Sequence, residues 1–268
     1  MARSNQRGQT GNRICGVHPV YEALASGNQP IERIHIAREI HSNKLKEILD
    51  IAHERGVPVR KEERAVLDRL AGPELHQGIV AITGELSYAG FEILFKRTNP
   101  LVIVLDGVED PHNLGAVIRT AEACGASGVV VPERHSAMLS SAVVRASAGA
   151  SAYVPVVRVK NLVTTVDELK QRGLWVVGID QAGALDWTAF DYTVPVALVF
   201  GGEHRGLRRL IREHCDTLVK LPMLGKIASL NVSVAAAVVL YEVVRQRWVK
   251  GNGLKNAQET QRNRTPLL

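Results

Sequence analysis

The sequence predicts an α/β protein in which a small α/β unit precedes a mainly parallel sheet. Short apolar segments with strand character alternate with helical segments along most of the chain, as in repeated β–α units. One of them, LVIVLDGV at residues 101–108, is apolar almost throughout, as strands covered on both faces are. Polar segments directly follow three of the predicted strands, where open α/β sheets bind their ligands. A chain of 268 residues can hold one large or two modest domains.

Composition narrows the classes of protein to consider. No apolar run reaches membrane-spanning length and the N-terminus lacks a hydrophobic signal core, so we expect a cytoplasmic protein without a membrane partner. Cys15, Cys124 and Cys215 are odd in number and widely spaced, which argues against a disulfide framework or a zinc site. The net charge of +6 and the pI near 9.4 favour a polyanionic partner such as nucleic acid.

The first part of the chain reads as a compact α/β unit between two less regular segments. Residues 1–13 form a basic arm, 14–84 the N-terminal unit and 85–100 a linker that ends in Asn-Pro. Within the unit the periodicity predicts helices and strands in alternation. The predicted helices are 18–27, 42–56 and 62–72, and the predicted strands are 33–37, 57–60 and 78–83.

The second part, residues 101–249, has the denser alternation. Its predicted strands are 101–108, 128–132, 153–159, 174–180, 197–203 and 217–222. Its predicted helices are 113–125, 140–150, 161–173, 208–215 and 229–247. Asn113 is a plausible cap for the first of these helices. The polar tail 250–268 is expected to be disordered.

The last predicted helix is unusual because it lacks a polar face. From Val232 to Leu240 only Ser233 is polar, so we expect this helix to be buried on all sides. Residues 232, 236 and 239 share one face, and 234, 238 and 241 share another. One sheet can cover only one of these faces, so a homodimer is expected to cover the second. The alternative is a helix sandwiched within one domain.

Several enzyme classes are excluded by missing motifs. No G-x-G-x-x-G follows a strand, no G-x-x-x-x-G-K-[ST] is present, and H-E-x-x-H is absent. No Pro-Cys pair supplies the thiol that a cytosine-carbon methylase needs. The three polar segments after strands, 106–125, 200–207 and 221–233, therefore carry the functional signal.

These segments read N-x-G-A-x-x-R-T, F-G-G-E-x-x-G-L and L-P-M-x-G-x-x-x-S-L-N-V-S. Together they resemble the three signature motifs of the SpoU/TrmH family of RNA ribose 2′-O-methyltransferases, part of the knotted SPOUT superfamily. The N-terminal unit resembles that family's auxiliary substrate-binding domain, and GVHPVYEAL resembles its opening in the 23S rRNA guanosine methylases. The resemblance covers about 14–247.

The resemblance implies a SPOUT domain with a deep trefoil knot, an N-terminal RNA-binding domain and a homodimer. It implies S-adenosyl-L-methionine as cofactor, no metal, and methylation of a ribose 2′-hydroxyl in RNA, with a guanosine of 23S rRNA as the expected substrate. Methylation of tRNA ribose or of an rRNA adenosine stays open. So does a non-enzymatic class, an RNA-binding or ribosome-assembly protein that kept the fold.

The family's functional residues transfer to matching positions of this chain. The catalytic set is Asn113, Arg119, Glu203, Ser229 and Asn231. The set that holds the cofactor is Phe200, Gly201, Leu221, Met223, Leu230 and Asn231. Taken singly, each polar residue has a plainer interpretation: a helix cap for Asn113, Ser229 or Asn231, a core ion pair with Glu122 or Glu109 for Arg119, and a surface turn for Glu203. Their joint occurrence in the family's order favours function.

Arg119 is the residue whose chemistry is least obvious. A guanidinium with a pKa above ~12 stays protonated in proteins, so it is a poor base. We expect Arg119 to stabilise the developing alkoxide, with Asn113 and Glu203 orienting it, and in this family such residues can act across the dimer.

For RNA contact we expect a basic cluster in the N-terminal unit, although it could be a solvated face. It comprises His35, Arg38, Lys44, Lys46, Arg55, Arg60, Lys61 and Arg64.

Overall fold

The computed structural model describes residues 12–27, 30–40, 43–84, 87–203 and 205–250. The chain forms two compact units. The first comprises Met1–Ser87 with Met138–Tyr153, and the second comprises Tyr88–Ala137 with Val154–Leu268. Most of the expected arm and nearly all of the expected tail lie outside the described residues. Within the described ranges, no helix is long and apolar enough to cross a membrane; the cytoplasmic location stays a prediction.

The first unit is built on a four-stranded mixed sheet. Its strands are β1 (Asn12–Cys15), β2 (Ile31–Ala37), β3 (Val59–Glu62) and β4 (Ile79–Thr83), in the order β1-β4-β2-β3. Strands β2 and β3 run parallel, and β4 is antiparallel to both β1 and β2. The helices are α1 (Val17–Ser26), α2 (Leu45–Glu54) and α3 (Arg64–Ala71). The sequence predicted all of these elements except β1.

Residues 138–153 complete this first unit although they lie far along the chain. They contain α5 (Ser141–Ala146) and the 3-10 helix Ala150–Ala152. Val144 is buried in the core that α1, α2 and the sheet form. Glu74 accepts a hydrogen bond from the Ser141 hydroxyl at 3.1 Å and forms an ion pair with Arg145. The apolar packing of Val144 and the ion pair between Glu74 and Arg145 therefore both attach residues 138–153 to the first unit.

The second unit contains a seven-stranded sheet in which every pairing is parallel. Its strands are β5 (Leu101–Asp106), β6 (Gly128–Pro132), β7 (Val156–Val159), β8 (Trp175–Ile179), β9 (Leu185–Asp186), β10 (Val196–Gly201) and β11 (Thr217–Lys220), in the order β7-β6-β5-β10-β8-β11-β9. The helices are α4 (Pro111–Ala123), α6 (Leu162–Gln171), α7 (Arg209–His214) and α8 (Val232–Lys250). The predicted α/β fold with a mainly parallel sheet is confirmed.

Register brings two of the three polar segments together. Strands β5 and β10 are neighbours, and Asp106 lies opposite Gly201 at their carboxyl ends. Both strands are almost entirely buried, as their apolar sequences require. The expected linker 85–100 is partly structured over residues 88–100. It contains the 3-10 helix Phe91–Phe95, and Leu94 of that helix is buried in the core of the second unit.

Within one chain, helix α8 is buried along one of its two apolar faces. Val232, Ala236 and Val239 are buried against the second unit, whereas Val234 is 47% exposed and Tyr241 is 57% exposed. The two faces inferred from the sequence therefore exist, but one chain covers only the first. The alternative of a helix sandwiched within one domain is wrong, because α4 and the sheet pack against one side of α8. Cover of the second face by a homodimer stays a prediction.

Candidate functional site

Helix α4 begins at Pro111, two residues earlier than the sequence suggested. Asp110, not Asn113, is its N-cap: the Asp110 carboxylate accepts a hydrogen bond from the His112 backbone N–H at 2.9 Å. Pro111 occupies the first helical position, where its fixed φ and missing N–H are tolerated. The capping role expected for Asn113 is therefore wrong. Its side chain is buried within the helix and is available for other partners.

Those partners come from the other two polar segments. The Asn113 side-chain amide donates to Glu203 Oε1, and Asn231 Nδ2 donates to Asn113 Oδ1 at 3.0 Å and to Glu203 Oε1 at 3.0 Å. Asp110 Oδ2 lies 3.4 Å from the Asn113 amide. One residue from each of the three motifs thus meets in a single hydrogen-bonded cluster, the polar triad Asn113–Glu203–Asn231.

Asn231 has a second task at the start of α8. Its Oδ1 accepts from the Ser233 backbone N–H at 2.9 Å and from the Ser233 hydroxyl at 2.6 Å. This is the bond of an N-cap, so the plainer interpretation of Asn231 and the functional one hold together. The side-chain amide of Asn231 therefore caps the helix with its oxygen and donates to Asn113 and Glu203 with its nitrogen.

Glycines shape the loop that carries Glu203. Gly202 donates its N–H to the Asp106 carbonyl at 2.8 Å, and Gly206 donates to the Gly202 carbonyl at 3.0 Å. A Cβ on Gly201 would overlap the backbone of Gly206, and one on Gly202 would overlap the Gly107 carbonyl. Gly206 has φ +60, a conformation that favours glycine. The glycines of the second motif are therefore needed for close backbone approach.

Asp106 anchors the same loop and was not among the residues singled out from the sequence. Its side chain is fully buried and accepts from the Arg208 backbone N–H at 2.9 Å and from Arg208 Nε at 2.5 Å. A buried carboxylate needs such partners. The sequence signal that could have identified Asp106 is its position at the end of an otherwise wholly apolar strand.

Beside the polar triad lies a cavity of about 270 Å³, here called the Leu221 cavity. Of the residues expected to hold the cofactor, Phe200, Gly201, Leu221 and Leu230 line it. Ser229 and Glu203 also line it, whereas Met223 and Asn231, which were expected to hold the cofactor, do not. Sequence reasoning missed Asp180 and Arg212, which form an ion pair at 3.0 Å in its wall.

A second cavity of about 730 Å³, the Asn113 cavity, adjoins the first. Asn113, Glu203 and the buried Asp106 line it. Glu203 and the glycines Gly202 and Gly206 line both cavities. The Glu203 loop therefore separates two spaces that can each hold a ligand, with the polar triad at their boundary.

Arg119 does not join this site in one chain. Its side chain is exposed, and it lines neither cavity. Among the described residues no hydrogen bond or ion pair connects it to the polar triad, to Glu109 or to Glu122. Six residues after Asn113, Arg119 lies roughly 9 Å further along the helix and on a different face. The core ion pair considered for Arg119 is therefore not formed.

Burial lowers the reactivity of the two thiols of the second unit. Burial raises the pKa of Cys215 to about 12 and that of Cys124 to about 11, so neither thiol is ionised near neutral pH. The ranges that the structure describes hold no group of three or more His, Cys, Asp or Glu placed to bind a metal ion. His112 is exposed, and His204 lies outside the described residues.

The basic cluster of the first unit is only partly available for contact with a polyanion. His35 is buried, 3.5 Å from Glu62, and burial lowers its pKa. Arg55 donates to the Ala25 carbonyl at 2.9 Å, and Arg38 is paired with Glu63 at 3.0 Å. Arg60, Lys61 and Arg64 remain on the surface with no ion pair recorded in the described part of this unit.

Two protein-family models match this chain. The SpoU rRNA methylase family model matches residues 100–241. The chain belongs to this family. A second model, for the substrate-binding domain of RNA 2′-O ribose methyltransferases, matches residues 13–89. The family resemblance inferred from the three motifs is thus confirmed, and the chain is an RNA methyltransferase with a substrate-binding domain.

Individual relatives resemble the chain over most of its length. A Bacillus subtilis protein named as a TrmH family tRNA/rRNA methyltransferase, YacO, is 40% identical over 239 residues, covering 87% of this chain and 95% of that protein. The SpoU methyltransferase AviRb of Streptomyces viridochromogenes, crystallised with AdoMet, has 31% identity and a TM-score of 0.77, covering 93% of this chain and 96% of AviRb. A TrmH/SpoU tRNA modifying enzyme of A. aeolicus has 34% identity and a TM-score of 0.53, covering 60% of this chain and 81% of that one.

The cofactor of this family is S-adenosylmethionine. The Leu221 cavity suits such a nucleoside cofactor. Leu221 and Leu230 supply apolar wall, Gly201 exposes backbone where no side chain can intrude, and Ser229 supplies a hydroxyl.

Proposed function

We propose that this protein methylates the ribose 2′-hydroxyl of a guanosine in 23S rRNA. The observation that carries the proposal is the polar triad at the boundary of two adjoining cavities. It supplies amide and carboxylate groups suited to holding a hydroxyl, while the thiols of Cys124 and Cys215 remain protonated at neutral pH. The Leu221 cavity takes the cofactor and the Asn113 cavity takes the nucleotide.

Bound S-adenosylmethionine supplies a methyl group on a sulfonium, which is already an activated leaving group. Positioning of the hydroxyl is therefore the protein's main contribution. Both amides bond to Glu203 Oε1, so Oε2 has no hydrogen-bond partner among the described residues. We assign Oε2 as the acceptor that orients the 2′-hydroxyl and receives its proton as the methyl group is transferred, after which the proton passes to water. Arg119, permanently charged, stabilises the alkoxide as it develops.

Arg119 can serve the site only if a second subunit brings it there. We propose a homodimer formed through the exposed stripe of α8, which includes Val234, Tyr241 and Trp248, each 47% to 57% exposed. An apolar stripe at seven-residue spacing is a typical helix-pairing surface. Ala236 and Val239 point into the chain's own core, so changes there test folding and not association.

The double variant Val234→Glu with Tyr241→Glu tests the dimer. It should be a monomer with little methylation activity, while Gln171→Glu, an exposed change on α6, keeps the wild-type mass by light scattering. An active monomer at low micromolar concentration would refute the proposal. The deep trefoil knot likewise remains a prediction.

Ribosomal RNA is preferred to tRNA because of the first unit. The A. aeolicus tRNA modifying enzyme resembles only 60% of this chain, whereas the substrate-binding model accounts for residues 13–89. Guanosine is supported by the motif GVHPVYEAL.

Mapping of ribose methylation in RNA from a deletion strain tests the assignment: loss of one 2′-O-methylguanosine in 23S rRNA is expected. Loss in tRNA or at an adenosine would favour those alternatives, and calorimetry with S-adenosylhomocysteine separates an enzyme from a non-enzymatic RNA-binding protein.

A further inference from the structure

A basic groove continues from the Asn113 cavity along the second unit. It is a cavity of about 700 Å³ whose wall contains five basic side chains and no carboxylate. The basic residues are Arg134, His135, Lys160, Arg208 and Arg209. His135 and Arg208 line both this basic groove and the Asn113 cavity. The two spaces therefore adjoin, close enough for neighbouring nucleotides of one strand to lie in both.

The cations of the basic groove differ in how far they are already neutralised. Arg208 is committed to the buried Asp106. Arg209 pairs with Glu213 at 2.8 Å, but both side chains are more than half exposed, so this pair is weak. Arg134 and Lys160 are exposed and have no ion pair recorded within the described ranges. Three cations thus remain available to an incoming polyanion.

The wall of the basic groove is held in place before any ligand arrives. His135 has φ +58, a left-handed conformation uncommon for residues other than glycine. The following residues are fixed by a bond from the Ala137 N–H to the Val108 carbonyl at 2.8 Å. Leu210 also lines the basic groove, is 50% exposed and offers an apolar contact. Positive charge with one apolar surface suits a sugar–phosphate chain.

We infer that the basic groove binds the phosphodiester backbone of the RNA strand flanking the target nucleotide, through Arg134, Lys160 and Arg209. This inference rests on the proposed function, because the target nucleotide is placed in the Asn113 cavity. It assigns the catalytic unit an RNA-binding surface of its own, in addition to the first unit. Phosphate contacts of this kind release counterions, so their loss has a defined salt signature.

The test uses the full chain, with total RNA from cells lacking this protein as the probe. The triple variant Arg134→Ala, Lys160→Ala, Arg209→Ala should raise the RNA concentration for half-maximal single-turnover methylation roughly tenfold at low salt. It should also flatten the log–log salt dependence by about two, since each lost single-strand contact removes ~0.7. The rate at saturating RNA and the affinity for S-adenosylhomocysteine should match wild type.

Lys96→Ala, an exposed cation of the same unit outside the groove, should behave as wild type, and Lys160→Arg should retain RNA affinity. An unchanged half-saturation point and salt slope in the triple variant would overturn the groove assignment. Wild-type protein that binds S-adenosylhomocysteine but methylates no RNA would instead overturn the proposed function. In that case the salt slope is read from filter binding of the same RNA, where an unchanged slope again overturns the groove.

Discussion

The side-chain amide of Asn231 donates to the carboxylate of Glu203 at 3.0 Å while its oxygen caps helix α8. One residue therefore couples the start of the last helix to the loop of the second motif. The two tasks use different atoms of the same amide, which makes them separable by substitution.

Asn231→Ser should keep a capping oxygen and lose the amide donor. We expect folding stability near wild type and a single-turnover methylation rate lower by about 10²-fold or more. Asn231→Ala should lose the rate equally and also about 1 kcal/mol of unfolding free energy, measured by urea denaturation. If Asn231→Ser methylates RNA at the wild-type rate, the polar triad does not position the substrate.

The loop glycines predict a sharp contrast between two alanine substitutions. Gly201→Ala places a Cβ onto the backbone of Gly206, so the loop must shift and S-adenosylhomocysteine affinity should fall at least about tenfold. Gly225→Ala, in the third motif, meets nothing within 4 Å and should bind as wild type. Isothermal calorimetry checks both, and equal affinities for the two variants would contradict the close-packing account of the loop.

Action of Arg119 across a dimer predicts complementation between two inactive variants. In a heterodimer of Arg119→Ala with Glu203→Ala, one of the two sites regains both wild-type residues only if Arg119 comes from the partner. Unfolding and refolding the mixture should therefore restore about a quarter of wild-type methylation, since random pairing gives half heterodimers with one intact site each. Each variant refolded alone serves as the control. A mixture as inactive as its components would mean that both residues serve the same chain's site.

His35 predicts an acid-sensitive first unit. Burial lowers its pKa, against an opposing effect of Glu62, so the folded protein keeps His35 neutral at pH values where the unfolded chain binds a proton. The contribution to stability is complete above the unfolded pKa of about 6.5 and is lost as the pH falls below it toward the folded pKa. Hydrogen exchange of residues 31–37 at pH 7.5 and 5.5 measures this loss. His35→Gln should lessen the pH effect, whereas His53→Gln, at an exposed position of α2, should not.

The strands of the second unit were predictable because their sequences are unambiguous. LVIVLD and GVVVP are long, branched and apolar, as buried parallel strands require. Strands β1 and β9 were missed because their sequences carry no clear apolar pattern. Strand β9 has only two residues, both exposed, and β1 begins at Asn12 within the polar N-terminal segment. A strand could be predicted where its apolar pattern is strong, and it was missed where that pattern is weak.

The site was predictable in its members but not in its contacts. Asn113, Glu203 and Asn231 were named from their motifs, yet nothing in a single sequence shows that Asp106 pairs with Arg208, 102 positions away. The capping error at Asn113 was local: Asp110 followed by Pro111 is itself a start signal for a helix. The attachment of residues 138–153 to the first unit rests on Glu74 and Val144, again contacts between distant positions.

The central claim is that the methyl group goes to a ribose 2′-oxygen. Purified protein should be incubated with methyl-labelled S-adenosylmethionine and ribosomal RNA from a deletion strain, and the RNA then hydrolysed with alkali. Because a methylated 2′-oxygen cannot attack its neighbouring phosphodiester, we predict that the label appears in an alkali-resistant dinucleotide containing 2′-O-methylguanosine. Label recovered in mononucleotides, which would place the methyl group on a base, or no label above that of the Asn113→Ala variant, would contradict the account.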